Sequence, residues 1–139
     1  MIVLDTNVLS AIMRPVPDRP VVEWLDSQPH TSIWTTSVSI FEIRLGLELG
    51  PEGRRRAYLE NAFDRILGEV IEERILPFDA SAAEAAAVLS GQRRREGRIQ
   101  ELRDSMIAGI AIARRATLAT RNIRHFADLP VPVVDPWQA

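Results

Sequence analysis

Near its start the chain reads Ile2-Val3-Leu4-Asp5-Thr6-Asn7-Val8-Leu9, and the fold follows from how this stretch is read. Ile2, Val3 and Leu4 run without a polar interruption, the pattern of a short strand buried on both faces. Asp5, Thr6 and Asn7 each carry a short side-chain oxygen, suited to the free N–H groups at the start of a helix. The stretch predicts a buried strand that feeds directly into a helix.

The same alternation repeats outward from it. Further strands are expected at Thr31–Thr35, Arg74–Phe78, Thr117–Thr120 and Val131–Val134. A first helix should run to Met13, before Pro15, Pro17 and Pro20 break the chain, and a second over Val21–Ser27. Ser37–Leu49 carries Val38, Phe41, Leu45 and Leu49 at helical spacing and ends before Gly50-Pro51. Leu59 to Val70 reads as a longer helix. Ser81-Ala82-Ala83-Glu84 has the capping-box pattern and opens an alanine-rich helix that Gly97 ends. Arg103–Arg115 is the most apolar helix of all. Short strands alternating with helices predict an α/β fold, a mostly parallel central sheet flanked by helices on both faces. A length of 139 residues fits a single domain over 1–139.

Composition narrows the function classes. Apolar residues make up 46% and the net charge is −2, so the chain is an ordinary globular one. There is no cysteine, which removes disulfides and thiolate metal sites. The first residues carry no basic segment or long apolar run, so no signal peptide is expected, and no stretch is long enough for a membrane span. Every basic residue is arginine, clustered at Arg54-Arg55-Arg56, at Arg93-Arg94-Arg95 with Arg98, and at Arg114-Arg115. Guanidinium forks match phosphate oxygens, so Arg93, Arg94, Arg95 and Arg98 are candidates for contact with a nucleic-acid backbone. The competing reading is a solvated helix face.

Three acidic residues stand in apolar surroundings. Asp5 lies at the carboxyl end of the first strand, where ligands of open parallel sheets bind, although it also suits a helix cap. Glu42 falls beside Val38, Leu45 and Leu49 on the helical wheel, but Ser39-Ile40-Phe41-Glu42 also matches a capping box. Asp104 opens the apolar helix, where the helix dipole alone would favour an acid. Brought together, such groups repel: two carboxylates about 4 Å apart cost roughly 4 kcal/mol at an effective dielectric near 20. They must take up protons, recruit arginine or bind a cation. Oxygen ligands favour Mg²⁺, with Mn²⁺ as a substitute. His30 and His125 lack metal-ligand spacing and read as surface or packing residues.

Together these pieces resemble the PIN-domain ribonucleases, and more closely the VapC-like toxins of type II toxin–antitoxin pairs. The resemblance rests on Leu4-Asp5-Thr6-Asn7-Val8-Leu9, Phe41-Glu42-Ile43-Arg44-Leu45-Gly46, Arg103-Asp104-Ser105-Met106-Ile107-Ala108, Ala119-Thr120-Arg121-Asn122 and Asp135-Pro136-Trp137, in order along the whole chain. It implies that Asp5, Glu42 and Asp104 are catalytic metal ligands. It also implies that Thr120, with Asn7 nearby, orients a carboxylate or a metal-bound water. Many relatives carry a fourth acid where this chain has Asn122, which can still offer a neutral oxygen or serve as a turn residue. The resemblance further implies an RNA substrate, a cognate antitoxin, a homodimer and a cytoplasmic protein.

Two rivals fail on single residues. A phosphate-accepting receiver domain needs a lysine, and a haloacid-dehalogenase-type phosphatase needs an aspartate where Asn7 stands. A third reading, a PIN fold kept for binding or dimerisation without catalysis, draws its support from Asn122.

Overall fold

The computed structural model describes residues 1–139, and β1 (Ile2–Leu4) runs through the middle of its sheet. On one side β1 pairs in parallel with β2 (Ile33–Thr36), and on the other with β4 (Thr117–Ala119). The edges are β3 (Ile75–Leu76) and β5 (Val133–Val134), giving the order β3-β2-β1-β4-β5 with every pair parallel. The apolar run at the start of the sequence is explained by this position. Leu4 and Ile2 face one core, Val3 the other, and Val3 and Leu4 are fully buried. Full burial of such a side chain contributes about 1.5–3 kcal/mol.

One core lies under α1 (Thr6–Met13), α2 (Arg19–Asp26), α3 (Ser37–Leu49) and α4 (Arg54–Arg65). The other lies under α5 (Ala80–Arg95) and α6 (Leu102–Arg114), with Phe126. Alanines make the second layer thin. A Cβ on Gly109 of α6 would lie 2.5 Å from the Ala82 carbonyl oxygen and 2.7 Å from the Ala86 Cβ, so only glycine permits this approach of α5. That close packing sets α6 against α5, and the Glu101 cap sets where α6 begins, with Asp104 in its first turn.

From β1 the chain winds outward to β2 and β3, then crosses back to β4 on the opposite side and on to β5. The reversal leaves a crevice beyond the carboxyl ends of β1 and β4, the position at which open α/β sheets bind ligands. No helix is long and apolar enough to cross a membrane.

Several expectations shift by a few residues, each for a local reason. Pro20 does not end the chain's helical course but sits in the first turn of α2, where its missing N–H is not needed. The cap of α5 is Asp79, whose carboxylate accepts from the Ala82 N–H at 3.0 Å, two residues before the capping-box serine. β3 is shorter than Arg74–Phe78 because the turn at Glu72 and Glu73, both with positive φ, precedes it and Pro77, which has no N–H, follows it. The Leu59–Val70 helix is interrupted, α4 giving way to a wider π-helical turn over Ile66–Ile71. In α3 the buried stripe is Val38, Ser39, Ile43 and Leu47, while Phe41 and Leu49 are exposed. Two apolar stripes were available in that helix. The second is the one turned inward, with Ile43 and Leu47 in one core and Val38 in the other, while Thr36 caps the helix at the Ser39 N–H.

Candidate metal centre

Asp5 is the first residue beyond β1 and the cap of α1. Its backbone N–H donates to the Ala119 carbonyl at 2.9 Å, which ties it to β4, and its Oδ1 accepts from the Thr6 N–H at 2.8 Å. Cap and candidate ligand are therefore one residue: Oδ1 serves the helix while Oδ2 faces Thr120. The Thr120 hydroxyl, fully buried just past β4, donates to Oδ2 at 2.8 Å. Asn7 Nδ2 reaches both Asp5 Oδ2 and Thr120 Oγ1 at 3.3 Å. The Asn122 N–H donates to the same threonine oxygen at 3.1 Å. Each member is satisfied, so the network can hold a buried carboxylate in one orientation.

Glu42 reaches this place from the second turn of α3. Its Oε1 accepts from the Thr6 hydroxyl at 2.9 Å, and Ser39 Oγ lies 3.0 Å from the same hydroxyl. Asp104 arrives from the first turn of α6, with its N–H donating to the Glu101 carboxylate at 3.1 Å. The three carboxylates, with Asn7 and Asn122, line one cleft of about 350 Å³. The structure thus brings together the acidic residues expected from sequence, across three separate parts of the chain.

Burial pushes the Asp5 carboxyl up to about 6, against the pull of the Thr120 and Thr6 hydrogen bonds and with added repulsion from Asp104 and Glu42. Glu42 is also raised, first by burial, with the Thr6 hydroxyl and Arg103 acting the other way. A cation in the cleft would relieve both the desolvation and the repulsion. As the side chains stand, no three acidic or imidazole groups close around a single point. Glu42 is held by Thr6, and Asp104 is engaged by His125, whose Nδ1 lies 3.2 Å from Oδ2.

His125 is the residue that sequence reasoning missed. It has no metal-ligand spacing, and only the short 3₁₀ turn over Ile123–Phe126 carries it to Asp104. Asn122 stands at the cleft's exposed lip with φ of −89°, so it does not need the left-handed conformation that a turn residue would tolerate.

The arginine expectation divides. Arg93 is 3% exposed, and its guanidinium makes two 2.9 Å contacts with the Asp128 carboxylate and one with the His125 carbonyl. It is a buried structural charge, unavailable to a nucleic-acid backbone. Arg98 is drawn to the same Asp128. The paired guanidiniums hold the Asp128 carboxyl down to about 2. Arg94 and Arg95 remain on the exposed face of α5.

Comparison with known proteins agrees with this fold. Residues 2–131 match the PIN domain. The chain is 36% identical to VapC ribonuclease Y4jK of Sinorhizobium fredii, covering 99% of both. It is 34% identical to toxin FitB of Neisseria gonorrhoeae, again over 99% of both. Among solved structures, FitAB bound to the IR36 DNA fragment superposes with a TM-score of 0.87 and 34% identity, over 99% of this chain and 96% of that one.

Proposed function

The chain belongs to the PIN-domain family, in its VapC-like branch, and from that premise we propose that it is a Mg²⁺- or Mn²⁺-dependent endoribonuclease acting as the toxin of a toxin–antitoxin pair. The observation that carries this reading is the convergence of Asp5, Glu42 and Asp104 on one cleft at the sheet's switch point. The donor set suits a hard cation, since it consists of oxygens and Asp5 is a desolvated carboxylate with acidic neighbours.

A divalent cation bound there supplies Lewis-acid chemistry, acidifying a bound water and offsetting charge on the phosphodiester. The chain's own residues divide the remaining work. Asp5 is the rigid anchor, oriented by Thr120, Asn7 and the Thr6 N–H. Glu42 gives one oxygen to Thr6 and keeps Oε2 for the cleft. Asp104, half-buried where Asp5 is buried, is open enough to hold an attacking water. Asn122 contributes a neutral side chain at the lip, which favours a single tightly held ion over two.

A cognate antitoxin and a second copy of the chain complete the proposal. Exposed Phe41 and Leu102 flank an apolar recess with Phe78 and Met106 between α3 and α6, a surface suited to a protein neighbour. The alternative, a silent binding module, is favoured by Asn122 and by the open arrangement of the carboxylates.

The deciding experiment incubates purified protein with single-stranded RNA and Mn²⁺, with and without excess EDTA. Cleavage that EDTA abolishes supports the nuclease. Absence of cleavage across Mg²⁺ and Mn²⁺, with the protein folded, supports the silent module.

A further inference from the structure

An acidic cleft repels a polyanion, so a nuclease built on one needs a positive group at the rim to hold the strand. Arg121 is the group so placed. It follows Thr120 directly, its backbone N–H donates to Asn7 Oδ1 at 3.2 Å, and it lines the same cleft as Asp5, Glu42 and Asp104. Its exposed guanidinium makes no ion pair with these carboxylates or any other. Instead it lies over the ring of Trp137, 4.8 Å from the centroid.

Trp137 is itself pinned. Its indole N–H donates to Asp18 Oδ2 at 3.0 Å and its backbone N–H to Asp135 Oδ1 at 2.9 Å, and the ring packs against the core beneath α1 and α2. Stacking on a fixed aromatic face removes much of the rotamer freedom of an arginine while leaving its N–H fork unspent. Arg14, also at the cleft, differs in being paired with Asp18.

We propose that Arg121, held on Trp137 at the lip of the acidic cleft, binds a backbone phosphate of single-stranded RNA next to the phosphodiester that is cut, with Trp137 as its positioning residue. This rests on the nuclease reading above and adds to it the residue that holds the substrate strand. Contact at the backbone makes the interaction indifferent to base identity.

The test compares wild type, Arg121→Ala, Arg121→Lys and Trp137→Phe. The readouts are KM and kcat on a fluorescent single-stranded RNA with Mn²⁺, and anisotropy binding of the same RNA in EDTA, over a series of salt concentrations. Arg121→Ala should raise KM about tenfold with kcat nearly unchanged, the loss of one charge-assisted contact. It should also flatten the slope of log affinity against log salt by about 0.7, one phosphate on a single strand. Arg121→Lys should keep the slope and recover part of the affinity. Trp137→Phe, which retains a ring, should fall between wild type and Arg121→Ala in KM. An Arg121→Ala protein that cuts RNA with the KM and salt slope of wild type overturns the proposal and leaves the nuclease intact. A wild-type protein that neither cuts nor binds RNA overturns the nuclease reading itself.

Discussion

The Thr120 hydroxyl and the Asp5 carboxylate, 115 positions apart in sequence, meet at 2.8 Å where β1 and β4 end side by side. The bond joins the two strands between which the sheet's order reverses, and it fixes the most buried acid of the cleft. Removing the hydroxyl while keeping the shape should expose what it does. Thr120→Val should destabilise the metal-free protein at pH 7.5 by about 1.5–3 kcal/mol, because a bond to a charged group is lost. Mn²⁺ affinity should fall about 10–100-fold, as for other groups that orient a ligand from behind. Urea denaturation and calorimetry check both, and Thr120→Ser should restore most of each. Unchanged Mn²⁺ affinity in Thr120→Val would mean that Asp5 needs no such support.

Asp5 gives stability a particular pH dependence. Its folded value near 6 lies above the ordinary carboxylate range, so the folded state holds the proton more tightly than the unfolded chain. Above pH 6 the buried charge costs about 3 kcal/mol, at 1.36 kcal/mol for each unit of displacement. Stability without metal should therefore rise as pH falls from 7 toward 4. Asp128, depressed to about 2, acts in the opposite sense: its contribution is present above the ordinary carboxylate value and is lost as pH falls toward 2. Metal-free stability should peak between these two windows. Asp5→Asn should flatten the rise between pH 7 and 4 in EDTA melting curves. A wild-type protein whose EDTA stability is flat or falls over that window would contradict the buried charge at Asp5.

Arg93 makes a different kind of demand on the fold. Its guanidinium is buried against Asp128 and the His125 carbonyl, so it holds the turn that carries His125 to Asp104. Arg93→Ala should cost about 3 kcal/mol, the lower part of the range for breaking a buried pair, since Arg98 still reaches Asp128. Arg94→Ala and Arg95→Ala, on the exposed face, should change stability by less than about 0.5 kcal/mol. Chemical denaturation of the three variants decides it, and equal effects would return Arg93 to the solvated surface.

The contrast among these arginines marks the limit of what the sequence discloses. Three adjacent arginines look alike in one dimension; which of them turns inward depends on the phase of α5 and on Asp128 arriving from 35 residues away. The same holds for α3, where two apolar stripes compete and packing of Ile43 and Leu47 into the core selects between them. What was legible came from local rules: the unbroken Ile2–Leu4 run made the central strand, and Asp5, Glu42 and Asp104 were each an acid amid apolar neighbours. Thr120 is marked only by the family resemblance. His125 and the Arg121–Trp137 pair were not legible, because loop geometry alone brings them to the cleft.

The central claim is that Asp5, Glu42 and Asp104 act together as one cation site, and metal-linked stability tests it most directly. Melting of the wild type, Asp5→Asn, Glu42→Gln and Asp104→Asn would be followed in EDTA and then across a Mn²⁺ series. At a hundredfold excess over the dissociation constant, wild type should gain about 2.7 kcal/mol. Each variant should lose most of that gain, while Asp5→Asn and Glu42→Gln start from equal or higher stability in EDTA because a repelling buried charge is gone. A Mn²⁺ response that is the same in wild type and in all three variants would contradict the shared site.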